Sequence, residues 1–88
     1  MRQPGVSNWQ VYIIHCSDGS YYTGISTDVQ RRFEQHRSGK GARYFYGRAP
    51  LEVVYTECCE NRSSALRREA QIKSFSRKQK MQLLRSFA

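Results

Sequence analysis

Four side chains in the first half of the chain are of types that act on phosphate esters. Tyr12 and Tyr22 are ten residues apart, and Arg32 and His36 follow with the i, i+4 spacing of one helix face. A guanidinium binds phosphate oxygens bidentately, and an imidazole titrates near neutral pH. A free phenol has a pKa of about 10, so it accepts a proton only where cations, a metal or hydrogen bonds stabilise the phenolate. This combination indicates a site for cleaving phosphodiester bonds.

Glu69 is the acidic candidate for the same site. On a helical wheel of about 100° per residue, Glu69 lies near the centre of an apolar stripe. Four residues surround it on the wheel: Ala65, Leu66, Ile72 and Lys73. Burying an unpaired carboxylate is costly, so Glu69 must pair with a cation, take up a proton or bind a metal. Two alternatives stay open: an ion pair with Arg32 or Lys73, or one divalent ion, Mg²⁺ or Mn²⁺, held by this carboxylate with waters and phosphate oxygens.

Local patterns predict the elements that must position these groups. Trp9 to Cys16 and Tyr21 to Ser26 are rich in aromatic and β-branched residues and are separated by a turn sequence, which predicts a β-hairpin. A capping box at Thr27 begins a helix that runs to about Arg37, and Ser38-Gly39 ends it. The helical wheel places Arg32 and His36 on the sheet-facing side of this helix.

The second half of the chain predicts one strand and two helices. Leu51 to Cys58 forms the third strand, Asn61 caps a helix through about Ser74, and Ser76-Arg77-Lys78-Gln79 begins the last helix. The order ββαβαα predicts an α+β fold, a small mixed or antiparallel sheet covered by helices. At 88 residues the chain has room for one domain, expected over residues 9–88 after a flexible tail at residues 1–8.

The two tyrosines share a sheet face only in one hairpin register. A two-residue loop at Asp18-Gly19 would put Tyr12 and Tyr22 on opposite faces, because successive side chains of a strand alternate. A three-residue loop or a bulge changes the parity. We therefore expect a three-residue connection, or a bulge, in this hairpin.

The charge of the chain favours a polyanionic partner. Fifteen Lys and Arg against seven Asp and Glu give a formal net charge of +8, and there is no acidic residue after Glu69. The loop GKGARYFYGR, residues 39–48, interleaves basic and aromatic side chains that suit phosphates and unpaired bases; an inert surface loop is the alternative. The candidate nucleic-acid contacts are Lys40, Arg43, Tyr44, Arg48, Lys73, Arg77 and Lys78.

Other classes of protein fit the sequence less well. The first thirty residues contain no signal-peptide apolar run and no stretch reaches the length of a membrane span, so we expect a cytoplasmic protein. Cys16, Cys58 and Cys59 are odd in number and have no C-x-x-C spacing, which argues against a disulfide framework and a zinc ribbon. They are expected to be buried thiols at strand ends.

Five elements resemble the motifs of the GIY-YIG nuclease domain in order and spacing: Val11-Tyr12, Tyr22-Thr23-Gly24, Arg32, His36 and Glu69. Its small stand-alone bacterial branch is the most similar, through the stretches YTGISTDVQRRFEQH, SGKGAR and ALRREAQIK. The resemblance covers about residues 9–84. It implies a three-stranded antiparallel sheet flanked by helices and a DNA endonuclease that uses one divalent metal.

The resemblance also implies a role for each residue. Tyr12 and Tyr22 would be the paired catalytic tyrosines, with Tyr12 taking a proton from the attacking water, directly or through His36. Arg32 would bind the phosphate, Glu69 would hold the metal, and Gly24 would let the backbone approach the site. Ile25 stands where some relatives have a lysine, which leaves the general base open.

Many relatives carry a second domain that selects the DNA target, and we expect none in this chain. We therefore expect the protein to recognise the shape of its DNA substrate: a flap, a fork or a single-stranded junction. A partner protein could supply further specificity, and oligomeric state stays open. The alternative to an enzyme is a non-catalytic basic nucleic-acid-binding module of a larger repair or recombination assembly.

Overall fold

The computed structural model describes residues 8–87. Its elements are β1 (Gln10–Cys16), β2 (Tyr21–Ser26), α1 (Val29–Arg37), a short 3₁₀ turn (Arg43–Phe45), β3 (Pro50–Cys58), α2 (Arg62–Lys73) and α3 (Arg77–Phe87). The three strands form one antiparallel sheet in the order β2-β1-β3. The α+β class and the order ββαβαα are confirmed. The predicted tail falls almost wholly on residues 1–7, which lie outside the described residues.

The hairpin between β1 and β2 has the predicted three-residue connection. The Cys16 amide donates to the Ser20 carbonyl and the Gly19 amide donates to the Cys16 carbonyl, so residues 17–19 make the turn. Gly19 has a φ of +84°, a conformation that a residue with a side chain rarely adopts. In this register Tyr12 lies opposite Gly24 and Ile14 opposite Tyr22, so both tyrosines face the same side of the sheet.

Two irregularities in β3 adapt it to the shorter β1. Ile13 pairs with Tyr55 but Ile14 pairs with Val53, and a second shift follows near the end of the pair. The extra residue at the first shift lets Tyr55 and Val53 pack on opposite faces, where a regular strand would put both on one face. Local patterns in the sequence did not predict these bulges.

The sheet separates two clusters of buried side chains. One face carries Val11, Ile13 and Tyr55 beneath Ala65 and Ile72 of α2, with α3 packed beside them. The other face carries an aromatic cluster beneath α1 and the loop before β3, which contains Tyr12, Ile14, Cys16, Tyr22, Phe33, Tyr44 and Phe45. The second face therefore carries Tyr12 and Tyr22 beneath α1, the helix of Arg32 and His36, whereas Glu69 belongs to α2, which packs on the first face.

Side chains cap the helices largely as predicted, with one correction. Asp28, rather than Thr27, is the N-cap of α1: its Oδ1 accepts a hydrogen bond from the Arg31 amide at 3.1 Å. Both residue types cap helices, and a local pattern does not separate neighbouring positions. Asn61 and Ser64 form a capping box at α2, and Ser76 and Gln79 bond reciprocally at the start of α3.

The cysteines lie at opposite ends of the sheet. Cys16 pairs with Pro50 and Cys58 pairs with Gln10, so Cys16 does not meet Cys58 and Cys59. All three thiols are free, and Cys58 is exposed, which corrects the expectation that every thiol is buried. No helix within residues 8–87 has the length and apolar character needed to cross a membrane.

Candidate active site

Tyr12 lies in the middle of the sheet and packs its ring against the backbone of the neighbouring strand. Its side chain is buried, and Gly24 lies directly opposite it on β2. A Cβ on Gly24 would be 2.6 Å from the Tyr12 Oη, closer than real Cβ contacts. Position 24 must therefore be glycine for the Tyr12 ring to lie where it does, which gives a physical reason for the glycine of the sequence motif.

His36 holds the Tyr12 hydroxyl from the other side. The imidazole is 2% exposed, and its Nε2 is 2.9 Å from the Tyr12 Oη. Its Nδ1 lies 3.2 Å from the Ala42 amide, which donates to it. Because Nδ1 accepts, the proton of the neutral ring is on Nε2 and points to Tyr12. Burial, followed by the positive charge of Arg32, lowers the pKa of His36 to about 4.

Tyr22 joins this pair through aromatic contacts. Its ring centroid is 6.2 Å from that of Tyr12 and 5.2 Å from that of His36. Burial raises the pKa of Tyr22, whereas the charge of Arg32 and a hydrogen bond from Tyr12 oppose that rise. Burial also raises the pKa of Tyr12, and the neighbouring Tyr22 raises it further. The two phenols are coupled, so ionising one of them disfavours ionising the other.

Arg32 supplies the positive charge at the tyrosines. It lies on the same side of α1 as His36, is half-buried, and donates from Nη1 to the Gln35 Oε1 at 3.0 Å. Its guanidinium lowers the pKa of Tyr12 through a hydrogen bond and through its charge. Within residues 8–87 no carboxylate forms an ion pair with Arg32. The guanidinium is therefore placed to bind an anion beside the two phenols.

Glu69 approaches the tyrosines from α2, which packs against β1 and β2. Its negative charge raises the pKa of both Tyr12 and Tyr22, so the carboxylate lies within electrostatic reach of the two phenols. The side chain is 19% exposed, and its Oε2 is 3.5 Å from the Nζ of Lys73, a side chain that is 54% exposed. Of the two ion pairs considered from sequence, the one with Lys73 is present. Such a pair with a solvated lysine is weak.

Four separate elements thus bring the predicted catalytic groups together: β1, β2, α1 and α2. Tyr12 and His36 are joined by a hydrogen bond, Tyr22 packs against both rings, and Arg32 and Glu69 act on the two phenols through their charges. The part of the chain that the structure describes contains no enclosed pocket. It also contains no group of three or more His, Cys, Asp or Glu that could hold a metal ion.

Sequence reasoning missed the residues that fix His36 from the loop. A Cβ on Gly41 would overlap the His36 Nδ1, and Ala42 provides the amide that the same nitrogen accepts. The Phe45 ring centroid is 4.6 Å from that of His36 and 4.9 Å from that of Tyr22. Gly41 itself was the available signal, since glycine is the usual residue where a backbone must approach another group closely.

The predicted nucleic-acid contacts fall into two groups. Arg48 and Tyr44 are engaged within the protein: Arg48 lies 3.3 Å from Asp18 and stacks 4.1 Å from the centroid of the Tyr44 ring. The residues of the second group are exposed: Lys40, Arg43, Lys73, Lys78 and Arg77, whose guanidinium lies 5.9 Å from the centroid of the Tyr21 ring. Contact with nucleic acid stays a prediction for each of these residues.

Comparison with known proteins identifies the family of this chain. The GIY-YIG catalytic domain model matches residues 8–82 of the chain. Together with the fold and the motif positions, that match shows that the chain belongs to the GIY-YIG nuclease domain family.

Within that family the chain is similar to the proteins called UPF0213. A UPF0213 protein of Haloquadratum walsbyi is 53% identical over 83% of this chain and 82% of its own length, and one of Staphylococcus aureus is 48% identical over 85% and 92%. A solution NMR structure of the UPF0213 protein from Bacillus halodurans superposes with a TM-score of 0.56 at 47% identity, covering 86% of this chain and 81% of that one. A structure from E. faecalis has a TM-score of 0.61 at 39% identity, covering 99% and 91%.

Proposed function

We propose that this protein is a metal-dependent DNA endonuclease that hydrolyses phosphodiester bonds in branched or partly single-stranded DNA, in the cytoplasm, during repair or recombination. One observation carries the catalytic part of the proposal. Two coupled phenols, Tyr12 and Tyr22, lie beside a guanidinium that no carboxylate neutralises within residues 8–87, and the charge of Glu69 reaches both phenols. The negative charge of a scissile phosphate would compensate the positive charge of Arg32.

Glu69 fits a single hard divalent ion such as Mg²⁺. Its oxygens are the ligand type that this ion prefers, the side chain is partly exposed, and its partner Lys73 is a solvated side chain that can move away. A divalent ion bound there would supply Lewis acidity toward a phosphate oxygen and would stabilise the leaving group. Waters and phosphate oxygens would complete its coordination, because Glu69 is the one protein ligand we assign.

Three protein side chains bind the phosphate, accept the proton and orient the attacking water. The guanidinium of Arg32 binds a non-bridging phosphate oxygen and neutralises the charge that develops in the transition state. Tyr12 accepts a proton from the attacking water, and Tyr22 orients that water. Burial raises the pKa of both phenols, so a Tyr12 phenolate depends on the nearby positive charge.

His36 acts as a hydrogen-bond donor in this scheme. Its Nδ1 is occupied by the Ala42 amide and its Nε2 carries a proton, so it does not take a proton from Tyr12. The structure therefore disfavours the relay through His36 considered from sequence. Instead, the Nε2–H stabilises the Tyr12 phenolate together with Arg32.

A pair of glutamine variants tests the proposal. Glu69→Gln removes the charge of the proposed metal ligand at nearly constant volume, and Glu57→Gln does the same to a glutamate that pairs with Arg68 elsewhere on the sheet. Each purified variant is incubated with Mg²⁺ and labelled flaps, forks, four-way junctions and duplexes. We expect Glu69→Gln to lower the cleavage rate more than about 10³-fold with DNA binding retained, and Glu57→Gln to cut at nearly the wild-type rate. Wild-type cleavage by Glu69→Gln would overturn the assignment.

The non-catalytic alternative is favoured by one observation, the ion pair between Glu69 and Lys73. A protein that only binds nucleic acid needs no free carboxylate beside the phosphate, and that pair would keep Glu69 neutralised. Binding of every branched substrate without Mg²⁺, combined with no cleavage by the wild-type protein in Mg²⁺ or Mn²⁺, would establish this alternative.

A further inference from the structure

The loop at residues 41–49, here called the site loop, is attached to the active site at its start and to the β1–β2 turn at its end. At its start the Ala42 amide bonds to His36, and the Phe45 ring packs against the same imidazole. At its end Arg48 pairs with Asp18, and the Ala49 amide donates to the Ser17 Oγ at 2.8 Å. The residues between these attachments are held beside the active site and do not need to be ordered when a ligand binds.

The three consecutive aromatic residues of the site loop have different environments. Tyr44 and Phe45 are half-buried and pack against Tyr22, with ring centroids 5.2 Å and 4.9 Å from it. Tyr46 is 71% exposed, more than any other large hydrophobic side chain within residues 8–87. Its amide donates to the Arg43 carbonyl at 2.9 Å, which fixes the backbone that carries the ring. Packing accounts for the first two rings and leaves the third in solvent.

The charge around Tyr46 suits a nucleic-acid strand. Arg43 of the site loop and Lys40, the residue just before the loop, are exposed basic residues, and neither forms an ion pair with any residue that the structure describes. The chain as a whole carries a formal charge of +8. Basic groups attract the phosphates, and an exposed aromatic ring offers a stacking surface to a base face. In a duplex the base faces are already stacked, so only an unpaired base can use the ring.

We propose that Tyr46 stacks on an unpaired base of the DNA strand that enters the active site, with Lys40 and Arg43 contacting the adjacent phosphates. The substrate class is then duplex DNA that carries a single-stranded segment next to the cleaved bond. The choice of substrate rests on the proposed nuclease function, but the stacking contact does not require cleavage.

Binding measured without divalent metal tests the contact separately from catalysis. The full chain is titrated in EDTA with a blunt duplex of two fully paired strands and with the same duplex carrying a single-stranded tail, in which 2-aminopurine replaces one unpaired base. We expect Tyr46→Ala to weaken binding of the tailed duplex by about 5-fold to 100-fold, as for loss of one stacked aromatic, and to abolish the quenching of 2-aminopurine. Binding of the blunt duplex should change less than about 2-fold.

Two further variants separate stacking from general effects. Tyr46→Trp keeps an aromatic surface and should retain tight binding and quenching. Phe87→Ala removes another exposed ring, one that contacts Tyr55 on the opposite face of the sheet, and should leave both substrates unaffected. Unchanged binding of the tailed duplex by Tyr46→Ala, or equal loss on both substrates, would overturn the inference. A loss confined to the tailed duplex in a protein that never cleaves DNA would uphold it and overturn the nuclease proposal instead.

Discussion

Two clusters in this protein combine a tyrosine with an arginine, and they differ in what neutralises the arginine. On the face of the sheet covered by α2 and α3, the Tyr55 hydroxyl donates to the Glu57 Oε1 at 2.5 Å, and Arg68 pairs with the Glu57 Oε2 at 3.0 Å. On the other face, the Tyr12 hydroxyl meets His36, and Arg32 acts on it without an ion-pair partner among residues 8–87.

The position of one carboxylate explains why only one of these clusters is suited to binding an anion. Glu57 lies between Tyr55 and Arg68, so phenol, acid and guanidinium satisfy one another and the cluster carries little net charge. Glu69 instead pairs with an exposed lysine and leaves the charge of Arg32 uncompensated. The first cluster is suited to stability and the second to binding an anion, although both use similar side chains.

Among the variants that compare the two clusters, the largest effect is expected from removing each arginine in turn. Arg32→Ala should lower the cleavage rate on the order of 10²-fold to 10³-fold, because it removes the charge that faces the transition state. Arg68→Ala should cut at nearly the wild-type rate and unfold at a lower temperature, because it leaves Glu57 without its cation. Single-turnover cleavage and thermal unfolding of both variants measure the contrast. Equal effects on rate would show that the two clusters do not differ in function.

A smaller effect is expected from adding one methyl group at each of two glycines. Gly24→Ala places a Cβ against the Tyr12 hydroxyl, so the ring must move and the rate should fall about 10-fold to 100-fold. Gly19→Ala has open space around its Cβ but a φ of +84°, so it should cost stability on the order of 1 kcal/mol and leave the rate nearly unchanged. Cleavage rates normalised to the folded fraction separate these outcomes, and a slow Gly19→Ala enzyme would contradict them.

The last comparison concerns the pH dependence of stability, where no effect on the chemistry of cleavage is needed. His36 has a pKa of about 4 in the folded protein and an ordinary value near 6.5 when unfolded, so the unfolded state binds the extra proton as pH falls. The stability contributed by neutral His36 is complete above about pH 6.5 and is lost as pH falls toward 4. We expect the free energy of unfolding to fall by about 2 kcal/mol between pH 7 and 5 from this group alone.

Urea unfolding of the wild-type protein and His36→Gln across this pH range measures the histidine contribution. The variant should be less stable at pH 7, where it lacks the neutral imidazole, and should show a shallower decline toward pH 5. Parallel declines in the two proteins would mean that His36 does not carry the depressed pKa.

Much of the fold could be predicted because its signals are local. Alternating side chains and capping residues located the three strands and the helices, and the hairpin parity required by the two tyrosines predicted the three-residue turn around Gly19. The start of α1 was predicted one residue too early, because Thr27 and Asp28 are both residue types that cap helices and a local pattern does not separate neighbouring positions. The bulges of β3 could not be predicted, because they depend on what packs above each face of the sheet.

The sequence by itself determined that Arg32 and His36 share one face of a helix, because helical periodicity aligns them. Strand alternation left two hairpin registers open, and the three-residue turn of the structure selected the one in which Tyr12 and Tyr22 share a face. Only the tertiary structure decided which partner each group takes. Docking of the site loop fixed the tautomer of His36, left Tyr44 half-buried and left Tyr46 exposed. Such pairings depend on contacts between residues far apart in the chain, whose geometry is set by packing and electrostatics and cannot be derived from local spacing.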